Sequence, residues 1–294
     1  IKMNNLNEQY KVSICIPTYN YGKYLQQNLE VLVKEEFFDL CEVVIGDGGS
    51  IDETEVLSKN YEKKYKNIRY YNFKIKLGID KDLKKTSDLC TGKYIWFLSA
   101  DDIPTKGCLK KIINDISNNP TCILYERIIC DYFLNIIKYA RWSNIDAPKI
   151  LKIANEEEYF RYLNSLSSIG GLFSYMSVIV INREIWNNFK YTNYPKSLNY
   201  QHVIHILSIL RKPEHNLYIP AHFIVNFRGD NDSFLSKGAF NRLIMDFRGY
   251  KRIASIYQSE KISSKFKQIM RYEHKWYFLS KFLVNISGRN LRLV

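Results

Sequence analysis

The sequence predicts an α/β fold, in which a parallel sheet covered by helices on both faces is followed by a helical C-terminal portion. The first supporting observation is that strand and helix patterns alternate through the first third of the chain. The second is that three of the apolar strands end in polar or acidic residues, at 17–20, 47–50 and 99–102. The third is that the chain from 233 onward is helical in pattern, basic and aromatic.

Apolar periodicity predicts the elements of the first third. An apolar run at 12–16 predicts a strand, and Leu25, Leu29 and Leu32, spaced by three and four residues, predict the helix after it. The next elements are a strand at 42–46, a helix from Glu53 capped by Ser50 or Asp52, a strand at 68–73, a helix at 80–90 and a strand at 94–98. Repeated β-α-β units give parallel strands, and such sheets bind ligands at the carboxyl ends of their strands.

The second half of the chain has weaker patterns. Helices are predicted at 105–117 and 199–211, and strands at 121–126, 128–138 and 176–182, with a flexible turn at 167–171. We therefore expect three regions. They are a first α/β half at 1–115, a second half of the same domain at 116–232, and a basic, aromatic helical region at 233–294.

Composition limits the class of protein. The formal net charge of +13 fits a nucleic acid, an anionic membrane surface or a phosphorylated ligand. The six cysteines form no C-x-x-C pair and several lie in apolar runs, which indicates reduced, buried residues rather than a zinc site or a disulfide framework. No apolar run approaches the length of a membrane span and no signal peptide pattern is present, so we expect a cytoplasmic protein.

Three acidic side chains follow the predicted strands. Asp47 ends the strand at 42–46, and Asp101 and Asp102 follow the strand at 94–98. Carboxyl ends of parallel strands meet at one edge of a sheet, and carboxylate oxygens suit Mg²⁺ and Mn²⁺. The pattern therefore indicates a nucleotide and a divalent metal at this edge. Read alone, each of these residues also fits a turn or a helix cap.

The first 115 residues resemble the bacterial family 2 glycosyltransferases, which have the GT-A fold. Three motifs carry the resemblance, in the same order and spacing: Pro17-Thr18-Tyr19-Asn20, Asp47-Gly48-Gly49-Ser50-Ile51-Asp52-Glu53-Thr54, and Gly92-Lys93-Tyr94-Ile95-Trp96-Phe97-Leu98 before Ala100-Asp101-Asp102. The loop at 78–83, together with Trp96, resembles the abequosyltransferase-like subgroup. The resemblance implies a GT-A (Rossmann-like) nucleotide-sugar-binding sheet at 1–115 and an acceptor-binding half at 116–232.

This resemblance also implies an activity. It describes a metal-dependent, inverting hexosyl- or deoxyhexosyl-transferase that builds bacterial capsule or lipopolysaccharide O-chain. The donor would be a UDP-, GDP-, CDP- or dTDP-linked sugar, with Mn²⁺ or Mg²⁺ as cofactor. The acceptor would be a saccharide or a lipid-linked saccharide at the cytoplasmic face of the inner membrane. The basic, aromatic C-terminal region would contact that anionic membrane peripherally.

Family analogy assigns roles to the motif residues. Pro17, Thr18 and Tyr19 would frame the base, and Asp47 would accept a hydrogen bond from a pyrimidine N–H. Asp101 would contact ribose or metal, and Asp102 would be the firmer metal ligand. Asp82 would contact the donor, although it also fits a helix cap, as does Asp80.

The sequence departs from the family pattern in two motifs. Ser99 stands where the common Asp-x-Asp motif has its first Asp, and Gly48 stands where many members have a second Asp before Gly-Ser. The carboxylates usually assigned to the base and the metal remain.

The general base of the reaction is a separate question. Inverting members use a Glu-Asp pair on a helix of the second half, and Gln201-His202 occupies that place here. The missing acidic pair leaves the stereochemistry of the transfer open. His202 is then the candidate base, because a neutral imidazole can take a proton near pH 7. Asp230 and Asp232 are the alternatives, and His202 also fits an ordinary core or surface position.

Two other functions compete with an enzyme. The missing acidic pair and the altered metal motif also fit a non-catalytic nucleotide-sugar-binding partner of a polysaccharide assembly complex. The charge alone suggests a nucleic-acid-binding protein, but no recognition motif of that kind is visible, so we expect no nucleic-acid partner.

Overall fold

The fold is that of a computed structural model, which describes residues 10–190, 199–228, 239–256 and 259–273. The strands in this part are β1 (Val12–Thr18), β2 (Cys41–Asp47), β3 (Ile68–Asn72), β4 (Tyr94–Phe97), β5 (Ile103–Pro104), β6 (Cys122–Leu124), β7 (Glu126–Cys130), β8 (Ile136–Ala140), β9 (Lys149–Leu151), β10 (Ile179–Asn182), β11 (Leu217–Ile219) and β12 (Phe223–Arg228). The helices are α1 (Gly22–Leu32), α2 (Thr54–Lys64), α3 (Ile79–Asp88), α4 (Cys108–Asp115), α5 (Glu156–Ser165), α6 (Arg183–Asn188), α7 (Gln201–Leu210), α8 (Ala239–Ile256) and α9 (Glu260–Glu273).

The main sheet has eight strands in the order β3-β2-β1-β4-β10-β6-β11-β9. The strands β3, β2, β1 and β4 pair in parallel, as the sequence predicts. Every residue of β1 and β2 is buried, because a parallel sheet covered on both faces needs continuous apolar strands. The strand β10 then returns from the second half of the chain and pairs antiparallel with both β4 and β6.

A second sheet has the order β5-β12-β7-β8. The strand β5 follows Asp102 directly and pairs antiparallel with β12, while β12 pairs in parallel with β7. The predicted strand at 128–138 is wrong as a single element, because a turn at 131–135 splits it into the antiparallel pair β7 and β8. The second sheet therefore flanks the end of β4, where the acidic motif lies.

Two further predictions are corrected in the second half. The segment predicted as a flexible turn contains a buried 3₁₀-helix, Ile169–Leu172. Gly170 lies so close to the indole of Trp142 that an added Cβ would stand 2.0 Å from it, so this turn is packed. The sequence reading also missed α5, although Asn155 and Glu158 form a complete capping box at its start.

The buried carboxylate of Glu42 bonds to groups near the amino-terminal ends of the parallel strands, at the edge of the sheet opposite Asp47. Its carboxylate accepts hydrogen bonds from the Ser13 hydroxyl, from the Thr91 backbone N–H at 2.5 Å and from the Gly92 N–H at 3.2 Å. It also forms an ion pair with Arg69 at 2.5 Å. One carboxylate therefore satisfies polar groups from β1, β3 and the turn before β4.

The described C-terminal helices pack onto the body of the protein. Tyr250 of α8 is buried 5.1 Å from the ring of Tyr200, and Phe266 of α9 is buried 6.3 Å from the ring of Tyr159. Tyr250 and Phe266 of the aromatic C-terminal region thus serve packing. The part of that region from 274 onward lies outside the described residues, and the three region boundaries remain a prediction.

The cysteines and the helices bear on two further expectations. All six cysteines are buried and unpaired, as their apolar surroundings predict. None of the helices in the described ranges is long and apolar enough to cross a membrane.

Candidate active site

The loops after β1 and β2 are joined at the carboxyl edge of the main sheet. The Gly48 N–H donates to the carbonyl of Thr18 at 2.9 Å, and the Asn20 N–H donates to the Ser50 hydroxyl at 2.7 Å. The Ile51 N–H returns a bond to the Asn20 side chain at 2.9 Å. Two of the three motifs that carry the family resemblance, those at 17–20 and 47–54, are therefore joined by hydrogen bonds.

Asp47 ends β2 and is completely buried. Its Oδ1 accepts the backbone N–H of Ser50 at 2.9 Å and the Ser50 hydroxyl at 2.7 Å. Its Oδ2 accepts the Tyr70 hydroxyl at 2.7 Å. A carboxylate oxygen can accept two hydrogen bonds, so Oδ2 keeps capacity for one further donor. Burial and this carboxylate raise the pKa of Tyr70, which therefore stays a donor.

The β1 loop presents Thr18 and Tyr19 at the same edge. Pro17 pairs with Gly46 of β2, and the buried Thr18 hydroxyl is without a hydrogen-bond partner in the described structure. The Lys76 ammonium lies 4.0 Å from the centre of the Tyr19 ring. An aromatic ring with a cation against it can bind a flat, anionic ligand.

Asp82 and Asp80 both shape the chain around α3. Asp82 accepts the N–H groups of Leu77 at 3.3 Å and Gly78 at 3.1 Å, so its carboxylate organises the turn before the helix. Asp80 is buried and accepts the N–H groups of Asn199 at 2.9 Å and Gln201 at 3.0 Å. Asp80 thereby holds the start of α7, the helix that carries His202.

Asp101 and Asp102 lie together between β4 and β5. Asp101 is partly exposed, whereas Asp102 is 2 % exposed. Burial and the neighbouring Asp101 charge raise the pKa of Asp102 to about 8, against the opposing effects of Ser177, Tyr175 and Arg127. A divalent cation between these carboxylates would oppose both causes of the shift.

Two residues that the sequence did not predict hold this motif. Ser177, in the short 3₁₀-helix Met176–Val178 that precedes β10, donates its hydroxyl to Asp102 Oδ2 at 2.5 Å and accepts the Ser99 N–H at 2.9 Å. Asn28 of α1 is buried and donates to the carbonyls of Asp102 at 2.9 Å and Ser99 at 3.3 Å. Their sequence separations of 71–78 residues from the motif leave no local signal for either contact.

Ser99 explains how the motif tolerates its departure from Asp-x-Asp. The Ser99 hydroxyl donates to Asp101 Oδ1. A carboxylate in its place would add a second negative charge at hydrogen-bond distance from Asp101. Serine therefore supplies a hydrogen-bond donor to Asp101 and gives the motif one negative charge fewer than Asp-x-Asp would have at this position.

Arg127 of β7 contributes positive charge on the side of the second sheet. Its guanidinium carbon lies 4.7 Å from the ring centres of Trp142 and Tyr175 and 4.3 Å from that of Phe227. Its charge lowers the pKa of Asp102, so it acts within electrostatic range of the acidic motif. The sequence reading did not single out this arginine.

His202 lies in the first turn of α7 and is 3 % exposed. Its Nε2–H donates to the carbonyl of Phe173 at 3.0 Å, which fixes the tautomer and leaves Nδ1 as an acceptor. Nδ1 is buried without a hydrogen-bond partner in the described residues. Burial lowers the pKa of His202, so the imidazole is neutral near pH 7. The alternative bases Asp230 and Asp232 lie outside the described residues.

The chain matches known proteins over most of its length. The family model described as "Glycosyl transferase family 2" matches residues 13–202. Abequosyltransferase RfbV of Salmonella typhimurium is 30% identical over 273 residues, which cover 91% of this chain and 82% of that protein. The GalNAc(5)-diNAcBac-PP-undecaprenol beta-1,3-glucosyltransferase of Campylobacter jejuni is 28% identical over 104 residues, or 35% of this chain and 33% of that protein.

Solved structures share the fold. S. aureus TarS 1–349 in complex with UDP-GlcNAc superposes with a TM-score of 0.65 at 15% identity, covering 90% of this chain and 73% of that one. The mannosyltransferase PcManGT from Pyrobaculum calidifontis, in complex with GDP-Man and Mn²⁺, gives a TM-score of 0.58 at 13% identity, covering 90% of this chain and 68% of that one. At these identities the likeness concerns the fold alone.

Proposed function

This chain belongs to glycosyl transferase family 2, and we propose that it is a metal-dependent glycosyltransferase of bacterial capsule or O-chain synthesis. It would transfer a sugar from a nucleotide-sugar donor to a saccharide or lipid-linked acceptor. The observation that carries the proposal is that Asp47 ends β2 while Asp101 and Asp102 follow β4, so all three lie toward the carboxyl ends of the two parallel strands that flank β1. The similarity to an abequosyltransferase over 91% of the chain supports the polysaccharide context.

The donor base would bind at the ends of β1 and β2. Asp47 Oδ2 has capacity for one N–H donor beside Tyr70, and the Tyr19 ring can pack against the base. Pro17 and Thr18 would frame the base, and the Thr18 hydroxyl, which has no partner in the described structure, would be available to bond it. Asp82 would act indirectly here, because it shapes the 77–78 turn that faces the same edge.

The acidic motif fits a divalent cation shared with a diphosphate. Asp101 and Asp102 would hold Mn²⁺ or Mg²⁺. The proposed site has only these two carboxylates, and the described ranges contain no group of three His, Cys, Asp or Glu side chains that could hold a metal ion. Two carboxylates leave the remaining coordination positions to phosphate oxygens and water, which is how proteins commonly bind Mg²⁺. When bound, the cation would neutralise charge on the leaving diphosphate.

His202 would accept the proton of the attacking hydroxyl. In a single displacement, the acceptor oxygen bonds to the anomeric carbon as the carbon–diphosphate bond breaks, and the proton moves to Nδ1. The unpartnered Nδ1 supports this assignment, as does the bond that fixes the tautomer. A single displacement inverts the anomeric configuration.

The proposal is tested first by ligand binding. Thermal unfolding is followed with UDP, GDP, CDP or dTDP, with and without Mn²⁺ or Mg²⁺, since a ligand that binds only the folded state raises Tm. We expect one nucleotide to raise Tm, and to do so only with metal. Asp102→Asn should abolish the metal-dependent part of the rise in Tm. Asp88 is an exposed acid paired with Lys84, and Asp88→Asn should leave the rise in Tm unchanged. A metal response unchanged in Asp102→Asn would refute the metal site.

Turnover tests the base. His202→Gln should lower turnover by about 10²-fold or more with the nucleotide-induced Tm shift unchanged. Asp230→Asn and Asp232→Asn are the comparison variants. Turnover lost in one of these and retained in His202→Gln would move the assignment to that aspartate. Nucleotide binding with no turnover on any acceptor would instead favour a non-catalytic binder.

A further inference from the structure

An exposed apolar hairpin extends from the second sheet. In the described part of the chain, ten large apolar side chains are at least 40 % exposed, and five of these lie within the eight residues 132–139. The five are Tyr132, Phe133, Ile136, Ile137 and Tyr139. A surface that meets only water rarely concentrates apolar side chains in this way, so the hairpin indicates contact with another apolar phase.

The hairpin holds these side chains outward through an ordered turn. The Asp131 carboxylate accepts the N–H groups of Phe133 and Asn135, each at 2.9 Å, and the side-chain amide of Asn135 at 2.9 Å. The Asp131 N–H closes the turn by donating to the Asn135 carbonyl at 3.0 Å. Phe133, at the tip, is 80 % exposed despite this order. Its exposure is therefore built into the turn.

Positive charge surrounds the base of the hairpin. Lys23 is exposed on α1, and a hydrogen bond with Tyr24, together with the Lys23 ammonium, lowers the pKa of Tyr132. The Arg228 guanidinium carbon lies 5.7 Å from the centre of the Tyr132 ring. Lys138 is exposed on β8 itself. The one carboxylate of the hairpin, Asp131, is occupied by the turn, so the surface is apolar with a cationic border.

We propose that the hairpin at 131–139 docks on an anionic lipid bilayer. Phe133, Ile136 and Ile137 would enter the boundary between headgroups and acyl chains, and Lys23 and Lys138 would meet lipid phosphates. Tyr132 and Tyr139 flank the apolar residues, and tyrosine suits the interface because its ring is apolar and its hydroxyl is wet. At that depth water still reaches the unpaired edge of β8.

The same contacts connect this surface to the acidic motif. Arg228 lies 5.1 Å from the Tyr24 ring and donates to Gln27 at 2.7 Å. The next residue, Asn28, donates to the carbonyl of Asp102. A bilayer under the hairpin would thus lie at a fixed position relative to the motif, where a lipid-linked acceptor is presented. Only this last point rests on the proposed function.

Vesicle binding by the full chain tests the inference. Co-sedimentation is measured with vesicles of phosphatidylcholine alone and of equal parts phosphatidylcholine and phosphatidylglycerol. We expect binding to the anionic vesicles, and a loss of at least about tenfold in Ile137→Asp, because burial of its side chain is replaced by burial of a charge. Lys23→Gln and Lys138→Gln should each weaken binding to anionic vesicles by about fivefold and leave phosphatidylcholine binding unchanged.

A matched substitution controls for general effects of charge. Ile136 is 54 % exposed on the edge strand β8, and Ile150 is 55 % exposed on the edge strand β9 of the main sheet. Ile136→Asp should lose vesicle binding and Ile150→Asp should keep it. Equal vesicle binding by these two variants overturns the inference. The inference is also overturned if the wild type is a dimer and Ile136→Asp, but not Ile150→Asp, makes it monomeric, because the hairpin would then bind a second copy of the chain. The nucleotide-induced Tm shift, measured in the same variants, reports separately on the proposed function.

Discussion

Ser177→Ala removes a side chain that connects two parts of the acidic motif. The Ser177 hydroxyl is fully buried, donates to Asp102 Oδ2 and accepts the Ser99 N–H. With alanine at 177, the Asp102 carboxylate and the Ser99 N–H each lose one hydrogen bond while they remain away from water. Each loss costs about 1–3 kcal/mol, so we expect the free energy of unfolding to fall by about 3 kcal/mol. For a chain of this size that corresponds to a fall in Tm of about 6 °C.

The same substitution should weaken the proposed metal site. Groups that orient a metal ligand typically contribute about 10- to 100-fold to metal affinity, and Ser177 donates a hydrogen bond to Asp102, the proposed ligand. The half-saturating Mn²⁺ concentration, read from turnover and from Tm with nucleotide present, should rise by about tenfold or more.

Ser58→Ala is the matched control. Ser58 is as fully buried as Ser177, but its hydroxyl has no hydrogen-bond partner in the described structure. Removing an unsatisfied hydroxyl should leave stability unchanged or higher, with the Mn²⁺ requirement unaltered. A Ser177→Ala protein that loses stability yet keeps the wild-type Mn²⁺ requirement would refute the orienting role, and equal stability in the two variants would refute the energetic argument.

Three further predictions concern stability. Burial lowers the pKa of His205 to about 4, so between about pH 6.5 and pH 4 the unfolded chain binds a proton at this residue that the folded chain does not. His205 alone therefore lowers the free energy of unfolding by about 3 kcal/mol over this window, while Asp102 and Glu126, whose pKa values burial raises to about 8 and about 7, act in the opposite direction. The difference in urea-melt stability between the wild type and His205→Gln should accordingly change by about 3 kcal/mol between pH 6.5 and pH 4. Glu42→Gln removes the charge that pairs with Arg69, and the glutamine side chain cannot accept hydrogen bonds from all the N–H and O–H groups around it. Calorimetry should therefore show a fall in the free energy of unfolding of about 3 kcal/mol or more. A fall of less than about 1 kcal/mol would contradict the stabilising role of the Glu42 carboxylate. Gly49→Ala should destabilise the protein more than Gly107→Ala in chemical denaturation. Both glycines have positive φ (82° and 75°), which costs about 1–2 kcal/mol in either variant, but only at Gly49 would the new Cβ stand 2.7 Å from the Lys74 carbonyl oxygen. Equal losses of stability would show that the backbone relieves this close contact at no cost.

Local patterns predicted the first sheet well, because its information is local. Most of the buried residues of β1, β2 and β4 are apolar, and Leu25, Leu29 and Leu32 lie on the buried face of α1. The positions of Asp47, Asp101 and Asp102 follow from those strands. The family assignment, which rested on the same segments, is confirmed by the match over 13–202.

The second half was less predictable because its elements are defined by distant partners. The strand predicted at 128–138 is broken by a turn whose signal, Asp131 four residues before Asn135, is visible only once the side-chain bonds are known. The packed turn at 170 depends on Trp142, which lies in another segment. The capping box of Asn155 and Glu158 was a readable signal that was overlooked.

The site residues divide in the same way. Asp47, Asp101 and Asp102 could be chosen from sequence, and their roles remain proposals. Ser177 and Asn28 could not be chosen, because serine and asparagine are common and their contacts span more than 70 residues. The assignments of Asp82 and His202 likewise remain proposals, and both side chains make structural hydrogen bonds that their motifs did not predict.

The return of β10 to the edge of β4 has a consequence for biosynthesis. A ribosome delivers the acidic motif long before it delivers Ser177 and β10, which pairs with Tyr94, Ile95 and Trp96. Until then the nascent chain presents one open, apolar edge of an incomplete sheet, and the motif lacks the hydroxyl that orients it. A ribosome stalled after residue 115 should therefore carry a chain that neither resists protease nor responds to metal, and both properties should appear together once residues to 182 have emerged.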